Sequence, residues 1–179
     1  MNIRIISGIF GGRPIGVSKS RITHPMGERI RNSLFNSIGE EIIDAEVLDA
    51  FAGSGSLGLE SISRGAKSAV FVEQDRVAGR VLDENIATLG VQDKTQVIHG
   101  TVASWINNTQ QKYDIIFADP PYNNLQLSTV RRLFTMLKPN GLMVLSYPGR
   151  SEAPTETGVV VVDNRSYGTA ALTFYRLDH

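Results

Sequence analysis

The sequence predicts an α/β fold: a mostly parallel sheet with helices on both faces and an antiparallel hairpin at its end. Three observations carry that prediction. From residue 46, short apolar runs alternate with helical patterns, the signature of parallel strands joined by crossover helices. A G-x-G-x-x-G turn, Gly53, Gly55 and Gly58, separates the first of these strands from the first helix. The fourth strand, ending IIFA at 115–118, runs straight into Asp119, Pro120, Pro121 and Tyr122. Neither proline can donate a ladder hydrogen bond, so the strand must end there, with a carboxylate, two rigid carbonyls and an aromatic ring at its tip.

The elements follow in order. IRIISGIFGG reads as a short strand and turn, and GGRPIGVSKSRI as a loop rich in glycine and basic residues. THPMGERIRNSLFNSIGEEI reads as a helix. Thr23 or His24 precedes Pro25 at a first-turn position, and Ile30, Leu34, Phe35 and Ile38 recur at helical spacing. In the body, the strand EVLDAFAG leads to the helix SLGLESISRG, closed by Gly65, and the strand SAVFVEQD to the helix RVAGRVLDENIATLG, closed by Gly90. TQVIHG is a strand and VASWINNTQ a short helix whose Trp105 reads as core. YDIIFADPP is a strand, LQLSTVRRLFTML a helix and GLMVLSYP a strand. GVVVVDN and TAALTFYRL have no helix between them and read as the hairpin.

Composition narrows the function classes. The chain has 179 residues, 41% hydrophobic and 20% charged, which suits one soluble domain with a sizeable core. Residues 1–40 read as a basic extension packed on a body of residues 41–179, one compact unit, with no interface stripe to suggest more than a monomer. Net charge is zero but uneven. Residues 1–40 hold six basic side chains (Arg4, Arg13, Lys19, Arg21, Arg29, Arg31) and two acids (Glu28, Glu40), leaving +4 there and −4 on the rest, since the chain carries 18 of each sign. A basic end fits a polyanionic partner and equally fits an ordinary solvated face. The absence of cysteine excludes a disulfide scaffold, a thiolate metal site and a cysteine nucleophile. His24, His99 and His179 lack ligand spacing, so no metal is expected. No apolar run approaches a membrane span, and the expected address is cytoplasmic.

The glycine turn and its flanking acids point to a nucleoside cofactor. Glycines let backbone approach a ligand, and the following helix offers free N–H groups. Glu73 lies 20 residues past Gly53, at the end of the second strand, where an acid can accept both hydroxyls of a ribose. A dinucleotide would bring a pyrophosphate, which an acid beside the loop repels. S-adenosylmethionine would bring a sulfonium and an ammonium, which Asp49, just ahead of the glycines, attracts. Asp49 equally suits a loop-orienting hydrogen bond.

The Asp-Pro-Pro-Tyr segment suits an exocyclic amine on a nucleobase. Such an amine delocalises its lone pair into the ring and is a poor nucleophile. Acceptors on its two N–H bonds favour a pyramidal nitrogen, and Asp119 with the carbonyl of Pro120 can supply both. Pro120 and Pro121 hold that carbonyl rigid, and Tyr122 offers a face for stacking an unstacked base. Positioning of this kind supplies up to about 7–11 kcal/mol of barrier lowering.

With these residues in place the chain resembles class I S-adenosylmethionine-dependent methyltransferases acting on an amino nitrogen. Within them it resembles the RsmD family, bacterial small-subunit (16S) rRNA guanine-N2 methyltransferases. The segments that carry the resemblance are RIISGIFGGRPI, THPMGERIRNSLFN, VLDAFAGSGSLGLESISRGA, FVEQD, IIFADPPY and SYGTAALTFYR. The resemblance implies a Rossmann-like seven-stranded sheet of order 3-2-1-4-5-7-6. It implies S-adenosylmethionine along Asp49, Phe51, Gly53, Ser54, Gly55 and Gly58, with Glu73 on the ribose and Gln74 among the other cofactor contacts. It also implies Asp119 beside the cofactor, a small-subunit assembly intermediate or its RNA as substrate, and Arg4, Arg13, Arg29 and Arg31 as RNA contacts. Arg29 and Arg31 alternatively organise the methionine end of the pocket. This chain departs from the family at His24-Pro25-Met26, where Arg-Pro-Thr is usual. It departs again at Thr101, where an acid usually meets the adenine amino group; the backbone of Thr101 and Val102 is the alternative contact. Competing readings are a protein glutamine-N5 methyltransferase, which prefers Asn where Asp119 stands, and a DNA adenine-N6 methyltransferase, which needs a target-recognition region. A nicotinamide-dependent dehydrogenase would leave Asp-Pro-Pro-Tyr unexplained. A non-catalytic RNA-binding module is the last.

Overall fold

The computed structural model describes residues 2–19, 25–149 and 152–178. Arg21, Thr23, His24 and His179, on which some expectations rest, lie outside the described residues. The helices are α1 (Glu28–Ile38), α2 (Ser56–Ser63), α3 (Arg76–Leu89), α4 (Val102–Trp105) and α5 (Leu127–Leu133). The N-terminal strands are β1 (Asn2–Arg4) and β2 (Pro14–Gly16). The body strands are β3 (Glu46–Asp49), β4 (Ser68–Glu73), β5 (Thr95–His99), β6 (Tyr113–Ala118), β7 (Leu137–Pro148), β8 (Val159–Ser166) and β9 (Ala170–Leu177). No described helix is long and apolar enough to cross a membrane.

The body sheet runs β5-β4-β3-β6-β7-β9-β8. Counted from β3 as first strand, this is the order 3-2-1-4-5-7-6. Strands β3 to β7 pair in parallel, and β9 runs antiparallel between β7 and β8. Alternation along the strands separates two apolar layers. Val47, Phe71, Ile115, Phe117 and Val144 pack with residues of α1, α2 and α3. Leu48, Val70, Ile116, Ala118 and Met143 pack with residues of α4 and α5.

Two local expectations are corrected. The glycine-rich basic loop contains β2, which pairs antiparallel with β1 and buries Ile15 in the core. Helix α1 starts at Glu28 behind an extended Gly27, so Pro25 lies ahead of the helix and not in its first turn. Trp105 is partly buried against the second layer, as core was expected to be.

The N-terminal segment is tied down by a buried carboxylate. Glu60 on α2 is fully buried and accepts N–H bonds from Ile6 (2.9 Å) and Ser7 (3.1 Å) and a guanidinium bond from Arg64 (2.8 Å). Arg31 is also buried, with its Nε 3.7 Å from Glu60. Its Nη2 donates to the carbonyl of Arg4 at 2.7 Å and its Nη1 to that of Met26 at 3.3 Å. Removing one member of such a buried pair typically costs about 3–5 kcal/mol. Arg31 therefore joins β1, α1 and α2, and an enclosed guanidinium of this kind has no path to an RNA phosphate.

Candidate active site

Register places the chemistry. Asp49 at the end of β3 pairs with Phe71 on β4 and Phe117 on β6. Glu73 and Asp119 each lie two residues further along those strands, and a strand repeats its face every second residue. Three carboxylates thus stand on one face at the strand ends. Val144 on β7 pairs with Phe117, so Ser146, two residues on, extends the same row.

One cavity of about 750 Å³ opens at this row, within the range of small-molecule sites. Asp49 lines it from the end of β3, Phe51, Gly53 and Ser54 from the turn that follows, and Glu73 and Gln74 from the end of β4. Thr101 and Val102 line it from the start of α4, and Asp119, Pro120, Pro121 and Tyr122 from the end of β6. Gly55 and Gly58 stand behind the lining. An added Cβ would come within 2.4 Å of Leu82 Cδ1 at Gly55 and within 2.3 Å of the Phe71 ring at Gly58. They let α2 close on β4 and α3, and neither lines the cavity.

None of Arg4, Arg13, Arg29 and Arg31 lines the cavity. Arg4, Arg13 and Arg29 are exposed. Arg4 pairs with Glu28 at 2.8 Å, and Arg13 donates to the carbonyl of Thr88 at 3.0 Å while lying over the Phe10 ring. Arg31 is 1% exposed, which corrects its expected RNA contact and leaves it a scaffold role.

The carboxylates differ in how they are held. Asp49 Oδ2 accepts the N–H of Gly58 at 3.0 Å, whereas its Oδ1 is buried without a hydrogen-bond partner. Burial pushes the Asp49 carboxyl up to about 7, with Gly58 opposing and Asp119 and Glu73 adding to the rise. Each Glu73 oxygen accepts one backbone N–H, from Gly53 and from Asp75, both at 2.7 Å. Burial raises the Glu73 carboxyl while those N–H groups hold it down. A carboxylate carries about four acceptor positions, so with these two N–H groups and a further backbone contact from Gln74 it keeps one for a ligand hydroxyl.

Burial also pushes the Asp119 carboxyl up to about 6, against the Ser146 hydroxyl that holds it down. Ser146 Oγ lies 2.8 Å from Tyr122 Oη, so one serine braces both ends of the Asp-Pro-Pro-Tyr segment. Tyr122 remains 43% exposed, its ring available at the cavity mouth. Thr101 Oγ1 caps α4 by accepting the Ser104 N–H at 3.2 Å.

The sequence reading missed several cavity residues. Met26, Gly27 and Ile30 bring the N-terminal segment to the wall, Ser146 comes from β7, and Gln126 from the loop ahead of α5. A signal existed for Ser146, a polar residue inside the apolar run LMVLSYP. No motif marks Gln126.

The family described as "Conserved hypothetical protein 95" has a sequence model that matches residues 3–176. The chain belongs to that family, the RsmD family. A Haemophilus influenzae member, "Ribosomal RNA small subunit methyltransferase D", is 32% identical, covering 97% of this chain and 93% of that one. An Escherichia coli K12 protein of the same name is 34% identical over 89% of this chain and 79% of its own length. The solved structure of Escherichia coli yhhF superposes with a TM-score of 0.89 at 31% identity, covering 99% of both chains. As an RsmD family member, the chain has a methyltransferase fold, and its sheet order is the one the family resemblance implies.

Proposed function

We propose that this chain, a methyltransferase of the RsmD family, transfers the methyl group of S-adenosylmethionine to the exocyclic N2 amine of a guanine in small-subunit (16S) rRNA. The observation that carries this is the convergence of Asp49, Glu73 and Asp119 on one cavity. The residues fit the cofactor. The unpartnered buried Oδ1 of Asp49 lacks a cationic or donor group, and Glu73 keeps an acceptor position for a ribose hydroxyl. Thr101 Oγ1 caps α4 and keeps one acceptor position and its O–H, so it and the backbone of Thr101 and Val102 are available to the adenine.

When bound, the cofactor supplies an electrophilic methyl carbon on a sulfonium. The chain's own residues do the rest. Ionised Asp119 accepts one N–H of the target amine and the Pro120 carbonyl accepts the other, leaving the nitrogen lone pair free to point away from the base plane. Ser146 fixes Tyr122, whose ring stacks the base. Asp119, at about 6, is ionised at neutral pH and stands ready to take up the proton the nitrogen loses. Arg4, Arg13 and Arg29, exposed on the N-terminal segment, meet RNA phosphates. The substrate is an assembly intermediate of the small subunit, met by a monomer in the cytoplasm.

The test is methyl transfer from labelled S-adenosylmethionine to small subunits from a strain lacking its own guanine-N2 activity, with Asp119→Ala beside wild type. Label on one guanine, lost in the variant, is the expected result. No label on RNA, with the cofactor still bound, moves the substrate to DNA or protein.

A further inference from the structure

Three described residues other than glycine have a left-handed backbone: Asp44 (φ 59°), Gln126 (φ 50°) and Asn140 (φ 66°). Asp and Asn enter this region readily because their short polar side chains bond locally. Glutamine, one methylene longer, has no such aptitude. Of the three, only Gln126 lines the cavity. It follows Tyr122 on the loop that leads into α5, and it is half-buried. Its side-chain amide has no hydrogen-bond partner among the described residues. A strained backbone at a cavity wall, on a residue whose amide is unused, is a mark of function.

We infer that Gln126 is a specificity-determining residue that reads the target base, its side-chain amide pairing with N1–H and O6 of guanine. The inference rests on the guanine reading above. With N2 held by Asp119 and Pro120, the next groups along that edge of guanine are the N1–H donor and the O6 acceptor. A glutamine amide offers an acceptor and a donor side by side at matching spacing, the bidentate logic by which amide side chains read bases. Adenine, with its N6 amine in the same clamp, presents one ring acceptor beside a C–H and can make only one of the two bonds. Gln126 thereby selects guanine over adenine at a clamp that would hold either amine.

The experiment uses the small-subunit assay with wild type, Gln126→Gly and Gln126→Glu, together with melting temperature and S-adenosylmethionine affinity for each. Glycine relieves the left-handed backbone, so Gln126→Gly should melt no lower than wild type and bind the cofactor equally. Its kcat/KM on the particle should nevertheless fall about 5- to 150-fold, the range expected for one bidentate base contact. Gln126→Glu has no donor for O6 and should fall in the same range. Wild-type rates in either variant overturn the base contact, as does a glycine variant that melts lower and loses cofactor affinity. A wild-type enzyme that labels no guanine overturns the guanine reading itself, and this inference with it.

Discussion

Asp49 and Glu73 are held by backbone N–H groups, from Gly58 in one case and from Gly53 and Asp75 in the other. Asp119, across the same cavity, is held among the described residues by the Ser146 hydroxyl alone, and it opens a loop on which Tyr122 is exposed and Gln126 is strained. Backbone donors cannot swing away, so the first wall is shaped for one small ligand of fixed form. A hydroxyl and a loop can adjust, so the second wall suits a large partner that arrives with its own shape. One cavity therefore separates a rigid half that grips from a looser half that selects and aligns.

Breaking the looser half at its carboxylate should have the largest effect. Asp119→Ala is expected to lower single-turnover methyl transfer about 10²- to 10³-fold, in line with loss of one preorganised polar contact to a reacting group. Equilibrium dialysis should find S-adenosylmethionine affinity nearly unchanged. An equal loss of affinity would merge the two walls into one. Breaking the rigid half comes next. Glu73→Ala should weaken cofactor binding about 10- to 100-fold, the scale of hydrogen bonds to a charged group, with the rate at saturating cofactor near wild type. Titration calorimetry separates the two quantities.

Acidity sharpens the same contrast without a mutation. Asp49 titrates at about 7 and Asp119 at about 6. A raised carboxyl stays neutral to higher pH, and only its ionised form attracts a cation. Affinity for S-adenosylmethionine should therefore rise with pH up to about 7 and then level, by up to about tenfold per unit below it. Asp49→Asn should flatten that rise. At saturating cofactor the rate should fall as pH drops through about 6, and Asp49→Asn should leave that limb in place. The ligand-free protein carries the reverse sign. The folded Asp49 value lies above its ordinary 3.8, so stability falls as pH rises from there toward about 7, which thermal melts across that window would register. The smallest effect belongs to the brace: Tyr122→Phe removes the bond to Ser146, costs about 1 kcal/mol, and should raise KM for the particle about fivefold with little change in kcat.

Much of this was legible because it is local. Val47, Leu48, Val70 and Phe71 announce buried strands on their own, and Gly90 closes α3 in the left-handed conformation its type favours. The acids at the strand ends and Asp-Pro-Pro-Tyr carry chemistry in their residue types. What was missed depends on distant partners. Strand β2 has three residues, one a proline and one a glycine, and it is a strand only because β1 lies beside it. Arg31 looks like a solvated charge on an amphipathic helix until Glu60 encloses it from another element. The packing need at Gly55 and Gly58 was equally hidden, because the Leu82 side chain and the Phe71 ring that leave no room for a Cβ come from other elements. Gln126 and Ser146 belong to no motif, and register alone brings Ser146 into line with the acids.

The cavity wall includes Val17 and Ala170, nearly the whole chain apart in sequence. During synthesis, then, the glycine turn and all three acids leave the ribosome before the pocket they belong to exists. Only when β9 has emerged and slotted between β7 and β8 does the last part of the wall arrive. The wall beside Ser146 is completed only by β9, so a chain cut short before β9 would carry every acid of the site and still have an unfinished vessel to put it in.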